Sequence, residues 1–302
     1  MLHDGAEETG MATATPPTGN MPAPAGMPVW SLPDITGSLP PPAGVRSAPP
    51  AAAPGTAVVD DKLPATIGGP ALRAAAMAGD AAAAYEVATR FAEGRGVAQN
   101  NEEAARWLER AARQGLAPAQ FRLGGLYEKG IGVKKDLAAA RDLYLAAAEK
   151  GNGKAMHNLA VLYAEGVNGP PDYRSAALWF RKAADHGIAD SQYNLGILYA
   201  RGIGVEQNYA ESYKWFVLAA DQGDKEAAKK RDEVASHLGQ QSLTAARLAA
   251  QTWSPEPQPA EAIGVKAAAA WDSPANGPHA AQSNPRPAGA GAKAPAPDAK
   301  PN

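Results

Sequence analysis

The chain has 302 residues, a formal net charge of -2 and no cysteine. The missing thiol excludes disulfides, thiolate catalysis and zinc–thiolate centres. Basic and acidic side chains are interspersed in near balance, 23 Lys+Arg against 21 Asp+Glu over 71–252, which leaves no basic stripe for a nucleic acid.

The first 69 residues form an Ala/Pro-rich tail. Of 27 prolines, 24 lie in 1–70 or 253–302, while all nine tyrosines and all four phenylalanines lie between those limits. A segment so poor in large apolar side chains cannot offset the entropy of ordering, so 1–69 is expected to be disordered. Deleting 1–70 should then leave thermal unfolding almost unchanged. The start "MLHDGAEETG" is acidic and no apolar h-region follows it, so it does not read as a secretory signal. "SLPPP" (38–42) has the composition of a polyproline II segment. No run of 18 apolar residues occurs, so the chain itself is not expected to insert into a membrane, and the cytoplasm is the default compartment.

The segment 70–252 is expected to fold. "ALRAAAMAG" (71–79) reads as a capping helix after Pro70. Four 36-residue blocks then align without a gap, at 81–116, 117–152, 153–188 and 189–224. The seventh place holds Val87, Leu123, Leu159 and Leu195; the eighth holds Ala88, Gly124, Ala160 and Gly196. The eleventh is aromatic (Phe91, Tyr127, Tyr163, Tyr199). The twenty-seventh and twenty-eighth hold Trp107-Leu108, Leu143-Tyr144, Trp179-Phe180 and Trp215-Phe216, followed by Ala-Ala at places 31 and 32. Glycine recurs at the fourteenth place (Gly94, Gly130, Gly166, Gly202) and at the thirty-fifth (Gly115, Gly151, Gly187, Gly223).

Each block predicts two helices. Apolar places 4, 7, 8 and 11 form one helical stripe, and 24, 27, 28 and 31 a second. The fourteenth glycine suits a left-handed C-cap. Asn100, Asp136, Asp172 and Asn208 suit the N-cap of the second helix. No single pair buries its own apolar face, so four stacked pairs predict an all-α, α/α superhelical solenoid with capping helices at 71–79 and 225–252. Within that C-terminal cap, "KEAAKKRDEVASHL" (225–238) is charge-rich and Ser242 is the expected N-cap of a short helix. Trp179 and Trp215 are expected core residues. Residues 253–302 are expected to be a second disordered Ala/Pro-rich tail.

The third block departs from the others. It reads "EGVNGPPDY" (165–173), with Asn168 for the second glycine, and predicts a variant turn or a knob on one edge of the solenoid.

The same segment carries no complete catalytic or nucleotide-binding motif. "GNGKAM" (151–156) lacks the Ser or Thr after lysine and the preceding strand of a phosphate loop. His3, His157, His186, His237 and His279 form no metal-ligand spacing. His157 stands where Tyr85, Phe121 and Tyr193 stand in the other blocks, so it reads as a packing variant. His186 precedes a closing glycine, where a cation suits the helix C-terminus. No nucleophile elbow occurs. No catalytic residue, cofactor or metal is expected.

The pattern A-x-x-x-L-G-x-L-Y-x-x-G-x-G-V, then A-x-x-W-F-x-x-A-A-x-x-G, resembles the Sel1-like repeat, a relative of the tetratricopeptide repeat. "SQYNLGILYARGIGVEQNYAESYKWFVLAADQG" (191–223) is the fullest instance. The resemblance covers about 71–240 and implies a solenoid that holds protein partners together. "AQFRLGGLYEKGIGVKKD" (119–136), "AMHNLAVLYAEG" (155–166) and "KWFVLAADQGDKEAAKKRDEVASHL" (214–238) are also similar to the C-terminal region of PodJ-type polar localisation factors of alphaproteobacteria. That likeness implies a periplasmic domain of a membrane-anchored protein that organises the cell pole.

A solenoid offers a surface. The non-core places 6 and 9 of the first helices are expected to line its concave face as a protein- or peptide-binding ladder: Glu86, Thr89, Arg122, Asn158, Val161, Asn194 and Ile197. The expected function is a non-enzymatic scaffold or adaptor. The alternatives are an extracytoplasmic envelope-organising domain, a regulatory subunit of an enzyme complex, and an enzyme in its own right. The sequence leaves the oligomeric state open.

Overall fold

Helices of twelve or thirteen residues recur with the 36-residue period. A computed structural model describes residues 63–167, 169–265 and Trp271; the two tails through 62 and beyond 271, "SLPPP" and Asn168 lie outside the described residues. The first helices of the blocks are α2 (Ala81–Glu93), α4 (Ala117–Lys129), α6 (Gly153–Glu165) and α8 (Ala189–Arg201). The second helices are α3 (Asn101–Arg113), α5 (Leu137–Ala148), α7 (Tyr173–Asp185) and α9 (Tyr209–Asp221). α1 (Pro70–Met77) precedes the blocks, and α10 (Lys225–Ala235) and α11 (Gln240–Gln251) follow them. From α1 to α10 each helix packs on the next in the chain, and α11 packs back on α9, so the described part is an all-helical solenoid.

The caps explain the register. Asn100 Oδ1 accepts the backbone N–H groups of Glu102 and Glu103, and Asp136 those of Ala138 and Ala139. Asp172 and Asn208 each cap the third helical N–H, of Ser175 and Glu211. Every capping residue also donates its own N–H to the aromatic place-eleven carbonyl, at 2.9 Å in three blocks and 2.8 Å in the third. That bond closes the loop between the two helices and satisfies a carbonyl near the first helix's end. Gly94, Gly130 and Gly202 take left-handed C-caps at φ 71, 69 and 68°. Gly115, Gly151, Gly187 and Gly223, which follow the second helices, also have positive φ.

Close approach sets the stacking. A Cβ on Gly124 would stand 2.8 Å from the Tyr144 ring, and one on Gly196 2.8 Å from the Phe216 ring. Between blocks, a Cβ on Gly132 would stand 2.2 Å from the Asn101 carbonyl oxygen, and one on Gly204 2.1 Å from that of Tyr173. The turn of one block therefore sits on the start of the preceding block's second helix. In the third block the same place is Asn168, and the turn leading to it runs differently, with Gly166 at φ 80° and ψ 101° rather than left-handed. The Asp172-to-Tyr163 bond is kept all the same.

Three features differ from the sequence reading. The N-terminal boundary moves from 70 to 63. A 3₁₀ turn at Ala65–Ile67 places Thr66 on Gly96, as Asn101 lies on Gly132, and Ile67 is fully buried in the first core. A deletion through residue 70 would strip that side chain, so it is not expected to be silent. Ser242 is not an N-cap: α11 begins after Gly239, and Ser242 is exposed within its first turn. Trp215 is fully buried, but Trp179 is only partly so, with Lys182 Nζ 4.2 Å from its ring centroid. α11 and Trp253 cover α9, whereas α7 packs on its chain neighbours α6 and α8.

The chain also continues on the solenoid past 252. An extended strap, 253–259, leads to the short α12 (Ala260–Ile263), which packs on α4. Trp271 joins the first core cluster. The boundary expected for the C-terminal tail therefore lies too early for 253–265, which are held by the contacts described below.

Candidate partner-binding surface

The first helices carry the expected ladder, and its rungs divide into two kinds. In block one, Glu86 is 8% exposed and pairs with Arg90 Nε at 2.8 Å and Arg95 Nη2 at 3.2 Å. Arg90 also donates to the Ile67 carbonyl at 3.0 Å, which ties the pair to the N-terminal turn. Thr89, likewise 8% exposed, donates to the Tyr85 carbonyl and accepts from Arg122 Nη1 at 2.8 Å. Arg122 lies over the Tyr85 ring, 5.4 Å from its centroid. Glu86 and Thr89 are thus committed to the fold, and the expectation that they face a partner is corrected. For Glu86 the 63–69 turn contributes through the Arg90 bond to Ile67, whereas Thr89 is taken by Arg122 of the next block.

In blocks three and four the rungs are half-buried. Asn158, Val161, Asn194 and Ile197 are neither sealed nor fully exposed. Asn158 reaches the Tyr144 hydroxyl, which donates a short hydrogen bond to Glu128; burial, then that bond, pushes the Tyr144 pKa up. Ile197 packs at the edge of the last core cluster. Beside them, His157 Nδ1 lies 2.8 Å from Ser191 Oγ, and its ring packs on Phe180 at 5.7 Å. Burial lowers the His157 pKa, with Asp190 acting the other way. His157 is therefore the packing residue the sequence suggests.

Some contacts were not foreseen. Arg181 Nη2 donates to the Tyr199 hydroxyl at 2.7 Å and to Glu211 at 3.2 Å, and its guanidinium lies 5.0 Å from the Trp215 ring. In blocks one and two the Tyr127 hydroxyl donates to Glu109 at 3.2 Å. In both cases place 29 of one block meets the tyrosine at place 11 of the next. That spacing is visible in the sequence once the stacking is known.

The strap was also missed, and it occupies the closing turns. Trp253 meets Trp215 edge-on at 6.2 Å between ring centroids. Glu256 donates its backbone N–H to the Asp185 carbonyl at 2.8 Å, and the Glu256 carbonyl lies 3.0 Å from His186 Nδ1. Gly153 N–H donates to Gln258 Oε1 at 2.8 Å, and Asn152 Nδ2 donates to the Ala262 carbonyl at 2.6 Å. Among the described residues, no group of three or more His, Asp or Glu side chains is placed to hold a metal ion. No helix among them is long and apolar enough to cross a membrane.

The Sel1 repeat family model matches residues 81–116, 117–152, 153–188 and 189–224, the same four blocks. A Sel1 repeat protein from Oxalobacter formigenes, solved by crystallography, is 30% identical over 59% of this chain and 76% of that chain, with a TM-score of 0.51. The chain is a Sel1 repeat protein. Sel1 repeat proteins generally mediate protein–protein interaction. The chain is also similar to c5321, a protective antigen of uropathogenic Escherichia coli with an SLR fold: 23% identity, 60% of this chain and 55% of that chain, TM-score 0.31. Immunity protein Pa5087 from Pseudomonas aeruginosa is 19% identical over 57% of this chain and 81% of that chain, with a TM-score of 0.28. No curated relative matches this Sel1 repeat protein.

Proposed function

We propose that this Sel1 repeat protein is a non-enzymatic scaffold that binds a protein or peptide across the first helices of blocks three and four. The observation that carries the reading is the half-buried ladder of Asn158, Val161, Asn194 and Ile197. Asparagine amides offer both donors and acceptors to a peptide backbone, and the two branched side chains between them offer apolar contact. The equivalent rungs of block one are consumed by the fold, so the binding face is concentrated toward the C-terminal half.

A photo-crosslinking side chain placed at 161 or at 197 should trap the same polypeptide in cells. One placed at Leu178, exposed on α7, should not. Different products from 161 and 197, or an equal yield at 178, would remove the reading. A single trapped enzyme would make the protein a regulatory subunit.

A pole-organising role outside the cytoplasm is the second reading, and it is supported by the likeness of 119–136, 155–166 and 214–238 to polar localisation factors. A fluorescent fusion that concentrates at one cell pole favours it, and a diffuse signal counts against it.

A further inference from the structure

Two of the closing turns between blocks carry residues 253–263 of the same chain, "WSPEPQPAEAI". The strap is held mainly through main-chain groups. Its Glu256 N–H goes to Asp185, its Glu256 carbonyl meets His186, and its Ala262 carbonyl accepts from Asn152. The closing glycines supply the floor. A Cβ on Gly187 would stand 3.2 Å from Pro255, and one on Gly151 2.7 Å from Pro259. At Gly223, one turn further on, nothing lies within 4 Å of that position.

The composition of the strap matches this mode of binding. Prolines at 255, 257 and 259 fix φ and favour an extended polyproline conformation, which reduces the entropy lost on docking. Proline cannot donate, so only the residues between can use a backbone N–H, and that of Glu256 is used. Trp253 anchors one end against Trp215, and the fully buried Ala262 anchors the other. Gln258 adds a side-chain contact by accepting the Gly153 N–H at 2.8 Å, while main-chain bonds tolerate changes at the other intervening side chains.

We propose that this track is a peptide-recognition site for an extended segment in which an aromatic residue is followed by proline at alternate positions. Residues 253–263 are its resident ligand, held in cis, and a partner segment of the same chemistry displaces them. The track is built from closing turns rather than from the ladder on the first helices, so this inference and the partner face fail separately. Tethering gives the strap a millimolar-scale effective concentration, which makes it a strong competitor of any free peptide.

The test uses the full chain and a fluorescent synthetic peptide spanning 251–265. Trp253→Ala with Ala262→Asp releases the strap and should raise peptide affinity by about tenfold or more. Asn152→Asp keeps the acceptor that caps α6 through the Ala155 N–H but removes the donor to Ala262. Added to the released chain, it should weaken peptide binding about tenfold. In the wild-type chain, excess unlabelled peptide should speed hydrogen exchange at the Glu256, Ala262 and Gly264 amides. Equal affinity of released and wild-type chains, no loss with Asn152→Asp, or unchanged exchange overturns the proposal. A wild-type dimer in which 253–263 crosslinks only between chains also overturns it, by giving the track to a second copy.

Discussion

The carbonyl oxygen of Tyr173 stands 2.1 Å from where a Cβ on Gly204 would be. Gly204 has φ 71°, so alanine there meets both backbone strain and a rigid carbonyl from the preceding block. Gly204→Ala should cost roughly 2–4 kcal/mol, combining left-handed strain with overpacking. Gly223→Ala has the strain, at φ 100°, but open space around it, and should cost about 1–2 kcal/mol. Equal losses in urea denaturation would mean that the turn-on-helix contact does not limit stacking.

Trp215→Ala should destabilise the solenoid by about 3–5 kcal/mol, because the side chain is fully buried under α11 and Trp253. Trp179→Ala, at the same place one block earlier, should cost about 1–2 kcal/mol, because less apolar area leaves water there. Denaturant midpoints for the two variants separate these cases. Equal losses would place the two tryptophans in equivalent environments.

The repeat alone makes the core legible. Places 7, 8, 11 and 28 face inward because they recur at helical spacing, and the capping Asn and Asp fall where the second stripe begins. What escaped the reading was whatever occurs only once. Glu86 and Thr89 share the average block's surface spacing, yet Arg90, the partner of Glu86, reaches the 63–69 turn, and Thr89 is taken by Arg122. The 63–69 turn has no repeat partner in the sequence to reveal it. The strap has neither helical nor alternating apolar periodicity, because its hydrogen bonds run mainly through main-chain groups and its side-chain anchors are isolated. Its prolines therefore looked like those of the flanking tail. Trp179 points inward as its spacing requires yet stays partly exposed, because period fixes which way a side chain points and not how fully its neighbours cover it.

Glu86→Ala tests the reassignment of that residue from surface to structure. It removes one partner of an almost fully buried ion pair, and the loss should be about 3 kcal/mol. Glu93→Ala breaks the exposed pair with Arg95, in which both side chains are about half exposed, and should cost under about 1 kcal/mol. Crosslinking yield at 161 and 197 should be unchanged by either substitution, measured at a temperature where both variants are folded. A selective loss of crosslinking in Glu86→Ala, with unchanged stability, would return Glu86 to the binding face.

Acidification should weaken the fold through His157. Burial lowers its folded pKa below the ordinary value of 6.5, so the fold holds the ring neutral. As pH falls, the unfolded chain takes up the proton first and binds more protons than the native state. Stability present above the unfolded pKa is therefore lost progressively from about pH 6.5 down through the folded value. His157→Phe, the residue type of Phe121 at the same place, removes this contribution to the slope. It also leaves the Ser191 hydroxyl without its partner at His157 Nδ1, a pH-independent loss of about 1–2 kcal/mol. Urea midpoints should accordingly start lower for the variant near neutrality and converge on the wild type as pH drops. Parallel pH profiles for the two proteins would show that His157 titrates alike in the folded and unfolded chains.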